Sequence, residues 1–170
     1  ELTSLGVHGD PRPRPEGAGV GTLAVDHGAV ARYRDRLVHE VLDGRRLDGL
    51  RIVVDTANGA AAGLAVDVLS ALGATVTAIH DRPDGVNIND GCGSTHPADL
   101  QRSVVEAGAD LGLAFDGDAD RVLAVDAAGE LVDGDQIIAV CAIDRHERGV
   151  LAHDTVVVTV MSNLGFRQGM

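Results

Sequence analysis

The sequence predicts the α/β class: a three-layer αβα domain around a mixed, mostly parallel sheet. Three observations carry this. Hydrophobic residues make up 45% of the chain and aromatic ones only 2%, so the core has to be built from Val, Leu, Ile and Ala, as buried parallel strands are. Between Leu50 and His80 a short apolar run, a small-residue helix and a second apolar run form a βαβ unit. Farther on, "VLAVD" and "ELVDG" flank Ala127-Ala128-Gly129 as a hairpin, which makes one strand antiparallel.

Each element follows from local chemistry. "HGDPRPRPEGAGVG", His8 to Gly21, concentrates Pro and Gly and reads as a linker, so residues 1–25 are expected to join the domain to an upstream region. After Asp26, Val30, Tyr33, Leu37 and Val41 recur at helical spacing, which predicts an amphipathic helix behind an Asp cap. "LRIVVDTANG" predicts a buried strand from Leu50 to Val54 that turns at Asn58-Gly59. A helix from Ala60 to Leu72 ends at Gly73, and "TVTAIH" is the next strand. The long connection "DRPDGVNINDGCGSTH" precedes Pro97, placed as the first residue of a helix to about Ala107. "ADLGLAF", Ala109 to Phe115, is the third strand. "DGDQIIAVCAIDRHER" is a helix, with Asp133 and Asp135 suited to its turn and first turn. The domain is expected to span 26–150. "TVVVTVMSNLGFRQGM" should then begin a new strand and a helix capped by Ser162-Asn163, so 151–170 reads as the start of a following domain.

The bulk properties exclude several functions. A net charge of −12 argues against nucleic acid or an anionic membrane as partner, because both need clustered Lys and Arg. All fourteen basic residues are Arg, which excludes a Walker A loop and a Schiff-base Lys in this chain. Cys92 and Cys141 lack a CxxC or Cys/His pattern, so neither a disulfide framework nor a zinc site is indicated; both are expected to be inert packed thiols in a reducing cytoplasm. No apolar run reaches the length of a membrane span, and no signal-peptide pattern opens the chain. The first residue is not Met, and the expectation is a chain that continues upstream.

"LGLAFDGDADRVLAVD", Leu111 to Asp126, carries the chemistry. Asp116, Asp118 and Asp120 alternate in one turn between two apolar runs, and in an extended loop such residues project to the same side. Carboxylates packed together repel unless a cation joins them, and an all-oxygen set suits a hard cation such as Mg²⁺. An EF-hand is excluded, because its sixth and twelfth positions would be Arg121 and Ala127 rather than Gly and Glu. Two readings stay open on spacing alone. One is a phosphatase with Asp116 as nucleophile, which lacks its usual Lys partner here; the other is a solvated acidic turn. Position after a buried strand weakens the second, since open α/β sheets bind ligands at that edge.

The segments "VVDTANGAAAGLAVDVLSALGA", "DGVNINDGCGSTHPADL", "AFDGDADRVLAVD", "LVDGDQIIAV" and "TVMSNLGF" together resemble bacterial phosphoglucosamine mutases, of the α-D-phosphohexomutase superfamily. The resemblance runs from about Val25 onward, over the second domain and the beginning of the third. It implies a four-domain enzyme that interconverts glucosamine 6-phosphate and glucosamine 1-phosphate for UDP-N-acetylglucosamine and cell-wall synthesis. In that family a phosphoserine of the first domain exchanges phosphate with the sugar through a bisphosphate, and Mg²⁺ is held by three Asp. Those match Asp116, Asp118 and Asp120, and the Arg beside the transferring phosphate matches Arg121. The implied partners are a phosphosugar and the remaining domains; nucleic acid and membrane are not implied. Ala119 departs from the family's usual Gly. The nucleophile loop, the sugar loop and the Arg/Ser-rich phosphate loop are not found, so this chain is expected to be inactive alone. Other phosphohexomutases, a stand-alone Mg²⁺-dependent phosphatase and a non-catalytic module are the alternative readings. Asn58 sits in an Asn-Gly turn that turn chemistry explains, whereas Asn87, Asn89, Ser94 and His96 lie in the long loop at the same edge, open to contact with the cleft or to capping and structural roles.

Overall fold

The computed structural model describes residues 15–42 and 44–169, with Arg167 described by its backbone only. Five strands form one sheet in the order β2-β1-β3-β4-β5: β1 (Arg51–Asp55), β2 (Thr75–Ile79), β3 (Leu111–Phe115), β4 (Val122–Asp126) and β5 (Leu131–Val132). β1 pairs in parallel with both β2 and β3, while β4 runs antiparallel to β3 and to β5. One strand of the five is therefore reversed, as the hairpin between Val122 and Val132 predicts.

Alternation along β1 sends Val53 to one face and Ile52 and Val54 to the other, so the sheet needs cover on both sides. Helix α3 (Ala98–Ala107) supplies Leu100 and Val104 to the Val53 face, where Ala114 and Val125 complete a buried cluster. Gly112 of β3 lets α3 approach: a Cβ there would stand 2.6 Å from Val104 Cγ2. Helix α2 (Leu64–Ala71) and the stretch before β1 cover the opposite face with Leu47, Leu50, Ala65 and Leu69. These are the three layers. Helix α4 (Gly134–Glu147) packs against β4, and its N-terminus has a capping box in which Asp133 accepts from the Gln136 backbone while the Gln136 side chain accepts from Asp133 N–H.

Several elements differ from the sequence expectations. The helix after Asp26 is α1 (Ala29–Arg36) followed by a π turn at Leu37–Val41, and its cap position is Gly28, not Asp26. Val30, Tyr33 and Val41 are exposed, because α1 packs against α2 instead of lying on the sheet. α2 begins four residues later than expected: residues 60–63 are diverted into a turn whose Ala60 N–H donates to the Gly117 carbonyl at 2.8 Å. Residues 155–159 form no strand, since the described residues offer them no strand to pair with and an unpaired strand leaves its backbone groups unsatisfied. The helix behind them does form as α5 (Leu164–Gly169), with Asn163 Oδ1 accepting from Phe166 N–H at 2.8 Å. Cys141 is exposed, not packed, while Cys92 is buried. Of the Pro-rich segment, residues 1–14 lie outside the described ones, and Gly17–Gly19 make one 3₁₀ turn. No helix among the described residues is long and apolar enough to cross a membrane.

Because Leu100 is completely buried in the α3 cluster, Leu100→Ala should destabilise the domain by about 2–5 kcal/mol. Urea unfolding followed by circular dichroism measures it.

Candidate metal centre

The acidic loop is the connection of an antiparallel hairpin. Phe115 pairs with Val122, and the six residues 116–121 between them turn back on themselves, with Ala119 N–H donating to the Asp116 carbonyl at 3.0 Å. Ala119 adopts φ +60°, in the left-handed region that Gly enters freely and L-residues resist. Gly would enter this region without that cost. Ala keeps the turn at some conformational cost and leaves the carboxylates where they were expected.

Asp116, Asp118 and Asp120 each offer one oxygen, and these oxygens lie within 4.8 Å of one another. Asp116 is buried at 2% exposure, whereas Asp118 and Asp120 face solvent. Arg121 lies beside them. Its backbone N–H donates to Asp116 Oδ1 at 3.0 Å, its Nε–H donates to Oδ2 at 2.7 Å, and Nε also stands 3.5 Å from Asp120. Burial pushes the Asp116 carboxyl up, but the two hydrogen bonds and the charge of Arg121 outweigh it and hold the group at about 2. Asp120 is raised, first by the hydrogen bond it shares with Asp116 and then by the charges of Asp118 and Asp116. Three carboxylates and one guanidinium leave two negative charges in the loop. All the donors are hard oxygens in one cluster open to solvent, a set that fits a divalent hard cation and offers nothing to a soft one.

Two backbone arms hold the loop. The first is the turn after β1, where a Cβ on Gly59 would overlap the Gly117 carbonyl and stand 2.6 Å from Gly117 Cα. The second is the long connection after β2. A Cβ on Gly93 would stand 2.5 Å from the Phe115 carbonyl oxygen, and Ile88 and Asn89 press against Gly117. Asn58 and Asn87 serve this framework: Asn58 Oδ1 accepts from Arg82 N–H at 3.1 Å, and Asn87 Oδ1 accepts from Asp84 N–H at 3.0 Å. Asn89 N–H donates to the Ala57 carbonyl at 2.9 Å. These residues do the turn chemistry their types predict. Ser94 is half-buried, and exposed His96 pairs with the Thr95 hydroxyl at 3.2 Å, away from any role in the acidic cluster. Asp135 accepts from Asn163 N–H at 2.8 Å.

Sequence reasoning passed over Asp55, His80 and the glycine contacts. Asp55 is fully buried at the end of β1, where its carboxylate accepts from Ala57 N–H and Gly93 N–H, both at 2.9 Å, and meets His80 Nδ1 at 3.0 Å. The available signal was a carboxylate directly after the apolar run of Ile52, Val53 and Val54, which burial tolerates only with several partners. His80 and Gly93 gave none, because their partners are distant in sequence.

The site lies at the carboxyl ends of β1 and β3, where the strand order reverses and open α/β sheets place their ligand crevice. Fold and position define the class: an αβα domain presenting an acidic loop at a topological switch point. The chain belongs to the phosphoglucomutase/phosphomannomutase family, whose alpha/beta/alpha domain II matches residues 31–129. It is 58% identical to the phosphoglucosamine mutase of Frankia alni over 160 residues, 94% of this chain and 35% of that protein. Against the phosphoglucosamine mutase of Pelotomaculum thermopropionicum the identity is 68% over 122 residues, 72% of this chain and 27% of that one. The chain thus spans about a third of the length of the curated relatives it matches. Among solved structures, a phosphoglucomutase/phosphomannomutase family protein from Burkholderia thailandensis superimposes with a TM-score of 0.62 at 30% identity, covering 71% of this chain and 26% of that one. A putative phosphomannomutase from Thermus thermophilus shares the fold, with a TM-score of 0.55 at 21% identity over 71% of this chain and 28% of that one.

The backbone contact at Gly59 leaves no room for a methyl group, whereas a Cβ at Gly134 in α4 meets nothing within 4 Å. Gly59→Ala should therefore cost about 1–3 kcal/mol in urea unfolding, while Gly134→Ala should be neutral or stabilising.

Proposed function

We propose that this chain is the metal-loop portion of an enzyme that interconverts glucosamine 6-phosphate and glucosamine 1-phosphate, in the cytoplasm, on the route to UDP-N-acetylglucosamine and cell wall. The observation that carries this reading is the 58% identity to a phosphoglucosamine mutase across 94% of the chain. In this proposal residues 26–150 are the metal-binding domain, 151–170 begin the next domain and 1–25 lead in from an upstream one. Its substrate is a phosphosugar, and its working partners are the remaining domains of the same protein.

Asp116, Asp118 and Asp120 would hold Mg²⁺ through one oxygen each. Bound there, the cation neutralises negative charge on a phosphate presented by a neighbouring domain. The chain's own residues do the rest. Asp116 is fixed by Arg121 and by burial, so it defines the inner corner of the cluster, while exposed Asp118 and Asp120 can adjust to the ion. Arg121 keeps a positive charge beside the cluster, anchored at Nε to Asp116, and would offer that charge to the phosphate. A phosphatase reading would need Asp116 to attack phosphorus, yet this carboxylate is buried and both its oxygens accept from Arg121.

Three carboxylates are fewer than the six ligands Mg²⁺ prefers, so calorimetry on the chain should detect weak binding that Asp118→Ala abolishes and Arg121→Ala leaves in place. Tight binding in the absence of phosphate would contradict the shared site.

The chain alone should not turn over sugar phosphates, and after incubation with glucosamine 1,6-bisphosphate mass spectrometry should find no phosphate on Asp116. A phosphorylated Asp116 with turnover would establish the phosphatase instead. In the intact enzyme, Asp118→Ala should lower kcat by about 10²-fold or more, in line with loss of electrostatic stabilisation.

A further inference from the structure

Asp55 is a buried carboxylate with no place in the acidic cluster, and its three partners do more than neutralise it. Ala57 N–H and Gly93 N–H, both 2.9 Å away, belong to the two arms that reach the acidic loop, and His80 Nδ1 lies at 3.0 Å. From Ala57 the chain runs two residues to Gly59, which abuts Gly117, and Ala60 N–H bonds the Gly117 carbonyl at 2.8 Å. Gly93 is wedged between Ala57 Cβ, 2.6 Å from where its own Cβ would stand, and the Phe115 carbonyl oxygen. One arm therefore fixes the residue after Asp116, and the other fixes the residue before it.

His80 is held in turn. Its Nε2 stands 3.4 Å from Asp99 of α3, which pairs with Arg102 at 2.7 Å, and its backbone carbonyl accepts from Asn58 N–H and from the Thr56 hydroxyl. Its φ of +48° lies in the left-handed region, as do those of Ala57 (+53°) and Asn58 (+48°), so three residues adopt left-handed geometry around one carboxylate. Cys92 Sγ brings a third potential ligand atom within 4.8 Å of Asp55 and His80. A metal there would have to displace a bond that Asp55 already makes, to Ala57 at one oxygen or to Gly93 and His80 at the other, and burial followed by the Asp55 charge pushes the Cys92 thiol up, away from the thiolate a metal needs.

We propose that Asp55 and His80 form a positioning pair for the acidic loop, holding both backbone arms so that Asp116 is fixed from either side. The consequence for cation binding rests on the metal role assigned above; the consequence for backbone order does not. His80 acts through Asp55, and Asp55 acts through the two amides.

The test uses the whole chain, with residue-resolved amide exchange by NMR and titration with Mn²⁺ followed by electron paramagnetic resonance. In His80→Ala, protection at Gly93 and Ala60 should fall about tenfold while Val54 and Leu113 in the strands keep theirs, the signature of local rather than global opening. Mn²⁺ affinity should fall about three- to tenfold, by loss of loop preorganisation. His80→Asn should restore both, since Asn tolerates positive φ and its amide nitrogen can stand where Nδ1 does. His80→Gln, which cannot reach Asp55 in that way, should not. Unchanged protection at Gly93 and Ala60 in His80→Ala, or a uniform loss that includes the strands, would overturn the proposal. Should His80→Ala fail to fold, the Asn and Gln variants decide it: equal behaviour overturns it, and a parent-like Asn with a loosened Gln supports it. If the parent chain shows no Mn²⁺ binding that Asp118→Ala removes, the metal role fails, and the exchange data still decide the positioning pair.

Discussion

Mutual repulsion among Asp116, Asp118 and Asp120 is the constraint to which the surrounding structure answers. Like charges a few ångströms apart raise one another's free energy, and a flexible turn would relieve this by splaying the side chains. Here the backbone of the turn is held, and only the exposed Asp118 and Asp120 side chains keep freedom to move. Its ends are tied by the β3–β4 ladder, its first carboxylate is buried against Arg121, and Gly117 is boxed in by Gly59, Ile88 and Asn89. Part of the conflict is retained in the folded state and shows as the raised Asp120 carboxyl, while Arg121 holds Asp116 low. Under the proposed function, a divalent cation would relieve this conflict.

The sheet topology makes this possible. β1 and β3 are neighbours in space but are separated by an entire crossover that includes β2 and α3, so their carboxyl ends bring together turns from three parts of the sequence. The apolar faces of the same two strands are covered by α2 and α3, which gives the site a rigid floor. Polar geometry at the rim and apolar packing beneath it meet on the same strand: Val54 lies in the core and Asp55, next along, binds the two arms of the loop.

How legible this was in the sequence depends on the range of each interaction. Period-two and helical patterns revealed β1 to β5, α3 and α4, because their signals are local and the residues' own burial enforces them. The acidic cluster was equally plain, since its ligands sit at alternate positions of one turn. The apolar stripe of α1 misled, as Val30 and Tyr33 repeat correctly yet no described element covers them. "TVVVTV" misled similarly: β-propensity without a neighbouring strand makes no ladder. Asp55, His80 and Gly93 could not be joined by inspection, being 25 and 38 residues apart along the chain. Only the fold brings them into contact.

Ala119 has a wider meaning than its small departure from the family pattern suggests. At φ +60° it sits in strained geometry that glycine would occupy without cost, a difference of about 1–2 kcal/mol. Yet glycine would also give the unfolded loop many more conformations to lose. The methyl group narrows the range of shapes available to the unfolded loop, so less entropy is lost when the turn forms. The loop thus tolerates a strained hinge and in exchange gives up fewer conformations on folding, which links a single backbone angle to the order of the whole turn.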